Sequence, residues 1–354
     1  MLDRYIAWLY LRYVSLILVA LMAFFVGMDI LGSASKLPDS ANLILLFGLF
    51  RAARALDIIL PLSLVFGAIA TNIHMIRLNE LVAVYSLGAS RLKTLKPFFL
   101  VSLAISCGYI ALCTTQFVYL SDKADAIKQK RDFTTITQDL FIRYDNRFIY
   151  IKELLPLQNE ARGLDILEVT NGDLSRFIRA KKGVFKEGAW TLSEVSIITK
   201  PTDLTLGDLG VAVEKRESMI ELRGFRPDIM DTIYEQKFTY SLIDAARAWI
   251  LFADQNINTY RIRSILYATI IFPLFAPLLV SLVFVYSPIS PRFFNMAMFS
   301  SISVLLVLVA WGALYSLAQS AKNGAISPET ALLTPFTLAI LIALFTLKKK
   351  VINQ

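Results

Sequence analysis

Three long apolar segments, a mostly polar stretch at 121–260, and three more apolar segments follow one another along this chain. An apolar run of about 20 residues is long enough to cross the roughly 30 Å hydrocarbon core of a bilayer. The pattern predicts six transmembrane helices near 11–33, 55–76, 97–120, 264–287, 294–318 and 330–347. With 56% hydrophobic residues among 354, the composition fits an integral membrane protein. The expected organisation is helices one to three in 1–120, a folded insert in 121–260 and helices four to six in 261–354. Pro97 and Pro335 fall near span starts, where proline is tolerated. Pro273 and Pro277 fall inside span four, so neighbouring helices must satisfy the carbonyls that they free.

The net charge of +8 does not point to nucleic acid, because many charges cluster at span ends and the rest scatter through the insert. One side collects Arg4, Arg12, Arg77, Arg91, Lys93, Lys96, Arg292, Lys348, Lys349 and Lys350. The other has Lys36, Arg51, Arg54 and Lys322 in its short loops. That bias places both termini in the cytoplasm and the insert outside, which is the periplasm if the cell is Gram-negative. The first segment lacks a small-residue cleavage site and reads as a retained span.

The insert carries short alternating runs at 141–144, 147–151, 163–169 and 189–195. Turn residues separate them: Asp145-Asn146, Asn171-Gly172-Asp173 and Glu187-Gly188. Period-two alternation with such turns predicts antiparallel strands in a sandwich or open barrel. Residues 241–258 read as helical. Either the β-domain only docks partners, or its apolar interior or edge accepts a lipid chain or another β-protein.

No phosphate-binding Gly-x-x-x-x-Gly-Lys-Ser/Thr loop is present, so ATP hydrolysis is not expected of this chain. The single histidine, His74, excludes a two-histidine metal site and reads as interfacial. The two cysteines, Cys107 and Cys113, lie about 9 Å apart on one helix, too far for a disulfide. No catalytic or metal cluster and no bound cofactor is expected.

The sharpest local signal lies between spans two and three, where a short amphipathic helix is expected at about 77–88. Leu81, Val84 and Leu87 recur at helical spacing, Asn79 favours the helix start, and Glu80 suits its positive end. Gly88 provides a stop. Such a helix either lies on lipid or docks into an ATPase, with Glu80 as the polar contact.

The opening Leu2-Asp3-Arg4-Tyr5-Ile6, the Asn79-Glu80-Leu81-Val82 helix followed by Gly88, Arg147-Phe148-Ile149-Tyr150-Ile151 and Ala189-Trp190-Thr191-Leu192 occur in an order and spacing that resemble the LptF/LptG permeases of lipopolysaccharide export. The resemblance covers nearly the whole chain, and its opening is more similar to the LptG member. It implies a β-jellyroll in the insert. It implies a paralogous LptF-type permease as second half, an LptB-type ATPase dimer that uses ATP, and LptC- and LptA-type periplasmic acceptors. Asn79, Glu80, Leu81 and Val84 would form the coupling helix.

Lipopolysaccharide has several acyl chains and a polyanionic head, so its host needs apolar lining with cations near the outer surface. Phe25 in span one and Phe299 in span five are candidate acyl contacts. Lys36, Arg51 and Arg54 are candidate phosphate contacts. The resemblance places Lys36 at the second of two basic positions near the outer end of span one, and Asp29 at the first. An acid there is costly unless paired. It would pair with a basic residue of the partner half or of LptC, or reflect a lipid A with fewer phosphates or an added amine. Two other readings compete with a transporter half. One is a non-transporting scaffold that recruits periplasmic β-proteins. The other is an ion-coupled carrier, disfavoured because no relay of mid-span acids is evident.

Overall fold

The computed structural model describes residues 1–128, 137–144, 147–155, 158–170, 173–186, 188–200, 212–223, 241–253, 259–290 and 295–349. The chain divides into two compact units. One holds residues 1–129, 240–250 and 258–354; the other holds 130–239 and 251–257.

The first unit is helical. Its helices are α1 (Leu2–Ser33), α2 (Ala41–Arg77), α3 (Glu80–Ser86), α4 (Arg91–Leu112) and α5 (Leu120–Lys128), then α6 (Leu242–Ala253), α7 (Tyr260–Tyr286), α8 (Met296–Lys322) and α9 (Thr334–Leu347). Among the described residues, five helical segments are long and apolar enough to cross a membrane: α1, α4, α7, α8 and Glu329–Leu347. The expected second span lies in α2, a 37-residue helix that is not one of those five. Polar residues punctuate it at Arg51, Arg54, Asp57, Asn72 and His74, and it packs against both α1 and α7.

Several helices run beyond the expected apolar cores, because a helix satisfies its own backbone whether or not its side chains are apolar. Helix α1 starts at Leu2 rather than near 11, and α4 starts at Arg91 rather than 97. Pro97 therefore sits inside α4 rather than at its start, whereas Pro335 does open α9. Span three ends early, at Leu112, and Gln116–Tyr119 form a 3-10 turn.

The helical core joins α1, α2, α4 and α7 through Ile6, Tyr10, Leu64, Ala68, Phe98 and Phe284. The Tyr10 ring lies 5.1 Å from that of Phe98, tilted by 45°, and Phe98 lies 5.4 Å from Phe284. The buried Tyr10 hydroxyl donates to the Leu64 carbonyl at 2.9 Å, removing the cost of an unpaired buried donor. Pro277 lacks the N–H that would bond the Pro273 carbonyl. The Ser106 hydroxyl of α4 donates to that carbonyl instead, at 2.7 Å. For Pro277 this is the expected repair by a neighbouring helix.

The ends of the insert differ from the expected 121–260. Helix α5 belongs to the helical unit, where Ala124 and Ile127 are buried with Phe47 of α2. Residues 241–250 return to it as well: Tyr119 donates to Asp244 at 2.6 Å, and the Leu242 N–H donates to the Cys113 carbonyl at 3.0 Å. Helical periodicity was legible in 241–253; residues 254–258 of that expected helix lie outside the described residues.

The second unit carries six strands: β1 (Thr137–Tyr144), β2 (Arg147–Leu155), β3 (Glu160–Thr170), β4 (Asp173–Lys186), β5 (Ala189–Thr199) and β6 (Ala212–Glu221). They form one antiparallel sheet in sequence order. The strands and their pairing meet the expectation of an inserted all-β domain. A jellyroll's second sheet and Greek-key crossovers are not among the described strands. The expected turns Asp145-Asn146 and Asn171-Gly172, with Glu187, lie outside the described residues.

Registry places Ile149, Ile166, Ile178 and Ile197 in one cross-strand row, all buried. The opposite face holds ion pairs such as Asp165 with Arg179 at 2.9 Å and Glu160 with Lys182 at 2.8 Å. In β4, Gly183 leaves room for its neighbours. A Cβ there would lie 3.1 Å from Leu164 Cδ1, 3.1 Å from Trp190 Cε3 and 3.2 Å from Leu192 Cδ2. Gly183→Ala is therefore expected to destabilise this unit by about 1–3 kcal/mol through overpacking. Thermal unfolding of the purified chain reads it by tryptophan emission in a variant that keeps Trp190 alone of the four tryptophans, and an unchanged midpoint would show that these side chains can yield.

Candidate functional site

Two places in the helical unit gather the residues singled out from sequence. The first surrounds α3. Its seven residues are fewer than the expected 77–88, because Arg77 closes α2 and Asn79 breaks the chain with φ 57°. Asn79 makes no side-chain cap bond. It serves instead as a left-handed corner, a conformation that asparagine tolerates. At the other end Gly88, with φ 80°, completes the stop: its N–H donates to the Tyr85 carbonyl and that of Ala89 to the Val84 carbonyl.

Within α3, Leu81 is buried in the core with Ile6 and Val84 is half-buried, whereas Leu87, beyond the last turn, is 88% exposed. Leu78 and Val82 are exposed as well. The apolar face expected as one stripe is thus split, with Leu81 anchoring the helix and Leu78, Val82 and Leu87 left uncovered. Glu80 does not point away from the chain. Its Oε1 accepts a hydrogen bond from the Tyr5 hydroxyl of α1 at 2.8 Å.

Directly after α3, Arg91 binds the end of α7. Its Nη2 donates to the carbonyls of Val285 at 2.9 Å and Ser287 at 2.8 Å. A cation there satisfies carbonyls that the helix terminus leaves open and suits the negative end of its dipole. His74, read as interfacial, hydrogen-bonds Tyr13 of α1 at 3.0 Å.

The second place is an ionic cluster at the opposite end of α1. Arg51 Nε lies 2.7 Å from Asp29 Oδ2, and Arg51 Nη2 lies 3.0 Å from Asp125 Oδ1. The first approach is an ion pair rather than an aligned hydrogen bond. Arg54 reaches Asp125 at 3.8 Å, and the Arg51 guanidinium sits 5.3 Å over the Phe47 ring. Asp29 therefore has its counter-ion within its own chain, which replaces the expectation of a partner on another subunit or an unusual lipid. Arg51 is only 11% exposed and already neutralised by two acids, so it is not a free phosphate contact. Sequence distance hid this cluster: its residues come from α1, α2 and α5.

The remaining candidates separate. Lys36 is exposed in the turn after α1 and makes no ion pair among the described residues. Arg54 is half exposed. Phe25 is 40% exposed on α1, but Phe299 is only 7% exposed and packs within the chain. Met298, Leu305 and Leu308 supply the exposed face of α8 instead. Arg292, Phe294 and Lys350 lie outside the described residues. Asp57 accepts from the Tyr109 hydroxyl, with Arg54 and Lys322 in electrostatic reach. Cys107 and Cys113 are both free.

These features define a class: a multi-span helical membrane protein that carries an inserted antiparallel β-domain and a short exposed helix between its second and third long helices. The chain belongs to the lipopolysaccharide export system permease LptF/LptG family, whose model matches residues 4–349. It is thus a component of a lipopolysaccharide export permease. No curated protein matches it.

Proposed function

We propose that this chain is one transmembrane half of an ABC transporter that extracts lipopolysaccharide from the bacterial inner membrane and passes it to periplasmic bridge proteins. The observation that carries this reading is α3. It is a short helix, stopped at both ends by left-handed residues, anchored by one buried leucine and offering Leu78, Val82 and Leu87 uncovered. Uncovered apolar residues on a short, firmly bounded helix suit insertion into a groove of another protein.

In this reading an LptB-type ATPase dimer docks on α3 and uses the ATP, and a paralogous LptF-type permease forms the second half. Both termini lie in the cytoplasm and the β-domain in the periplasm, facing LptC- and LptA-type acceptors. The exposed apolar faces of α1 and α8 meet acyl chains or the partner half. Lys36 and Arg54 remain as the head-group contacts, since Arg51 is spent on Asp29 and Asp125.

Glu80→Ala tests the reading. In the full complex reconstituted in lipid vesicles, it is expected to lower the lipopolysaccharide moved per ATP hydrolysed at least several-fold, since a charge-assisted hydrogen bond tying α3 to α1 is lost. A Glu80→Ala complex with normal coupled transport would remove Glu80 from the coupling, whereas failure of the wild-type chain to bind any ATPase would favour a membrane scaffold instead.

A further inference from the structure

Resting on the coupling-helix reading above, we infer that Tyr5 is a positioning residue. Its hydroxyl holds the Glu80 carboxylate and so joins the coupling helix to the first span.

The geometry is specific. Tyr5 lies in the first turn of α1, 75 residues from Glu80, and its hydroxyl donates to Glu80 Oε1 at 2.8 Å. The second carboxylate oxygen, Oε2, is shielded from solvent and has no hydrogen-bond partner. Tyr5 therefore supplies the only side-chain hydrogen bond that Glu80 makes among the described residues. Bonds to charged groups are stronger than neutral ones, so this one orients the carboxylate, while its exposed position lets water take over the hydration of Oε1 when the hydroxyl is removed.

Apart from Glu80, α3 is held along one face, by Leu81 with half-buried Val84 and Tyr85, the last packed against the helical core. Leu81 is its one fully buried residue, and a seven-residue helix has no stability of its own. An apolar anchor alone resists withdrawal but permits rolling about the helix axis. The Tyr5 bond adds a directional tie to a different helix. Movement imposed on α3 by a docked ATPase then reaches α1 rather than dissipating as local rotation. The Tyr5 ring is 46% exposed, so the hydroxyl rather than ring packing is what the site uses.

Tyr5→Phe removes that hydroxyl alone. Coupling and docking are expected to separate: the ATPase binds as before through Leu81-anchored α3 and its uncovered apolar residues, while lipopolysaccharide moved per ATP falls about three- to tenfold. The thermal midpoint of the purified complex stays unchanged. In a Glu80→Ala background, Tyr5→Phe adds no further loss, because the two residues act through one bond.

The complex is measured in lipid vesicles as wild type, each single variant and the double variant. A normal transport-to-ATP ratio in Tyr5→Phe beside an impaired Glu80→Ala overturns the positioning role and leaves the coupling reading standing. Full additivity in the double variant also overturns it, since Tyr5 would then act by another route. A normal ratio in Glu80→Ala overturns the positioning role and removes Glu80 from the coupling.

Discussion

Replacing Arg51 with alanine is expected to destabilise the helical unit by about 2–4 kcal/mol. Arg51 stands between two carboxylates, 2.7 Å from Asp29 and 3.0 Å from Asp125, and is 11% exposed. Removing it strands Asp29 beside a low-dielectric interior and leaves Asp125 with only the longer contact to Arg54. The cost comes less from lost attraction than from charges left uncompensated. Because Asp29 is 27% and Asp125 40% exposed, water screens part of it, which keeps the figure below that of a fully buried triad. Thermal unfolding of the purified chain in detergent measures the effect. Adding Asp29→Asn to Arg51→Ala is expected to recover most of the loss, since the stranded charge is gone. An unchanged midpoint for Arg51→Ala alone would mean that solvent already screens the cluster.

Gly67→Leu is expected to do more, costing at least about 3 kcal/mol and lowering the yield of monodisperse protein. At Gly67 the backbone of α2 meets that of α1. A Cβ there would lie 2.5 Å from Val14 Cγ2 and 3.1 Å from both Val14 Cα and Val14 N. The first clash is with a side chain that a substitution can shorten. The other two are with backbone, so a larger side chain must push the helices apart. Close approach of this kind is how small residues bring membrane helices into van der Waals contact. Separation would also strain the neighbouring Tyr10–Leu64 hydrogen bond and the Tyr13–His74 contact. Val14→Ala is expected to rescue Gly67→Ala in part and Gly67→Leu hardly at all. Size-exclusion profiles and thermal midpoints of the four variants check this, and a monodisperse Gly67→Leu with a normal midpoint would contradict it.

The two substitutions test the two ways in which α1 is held. Gly67 sets how closely it lies on α2, and Arg51 fixes the end remote from Tyr5. Those restraints, with the Glu80 bond, leave the exposed face of Phe24, Met28 and Leu31 presented by a helix tied along its length.

Sequence signals were clear where a residue's environment follows from its near neighbours. Helix cores were legible because runs of apolar residues leave no other economical structure in lipid. Strands β1, β2, β3 and β5 were legible from alternation. Strands β4 and β6 were not: Arg176, Arg179, Lys181 and Lys182 interrupt the first, and Glu214, Lys215, Arg216 and Glu217 fill the second. Their charges sit on the outer face or along an exposed strand, where pairing with β3 and β5 overrides local polarity. Gly88 was correctly read as a stop. Asn79 was correctly placed at the helix boundary but acts through its backbone, a distinction that side-chain preference does not make.

The sequence by itself determined the class of this protein: apolar lengths, an alternating insert and a bounded amphipathic segment each reflect local chain physics. Only the tertiary structure decided which charges are free. Asp29, Arg51 and Asp125 lie on three helices, as Tyr5 and Glu80 lie on two. A charge in sequence looks available for a ligand until its counter-ion is known. Counter-ions in a helical bundle come from whichever helix packs alongside, at separations in the chain that no local pattern records.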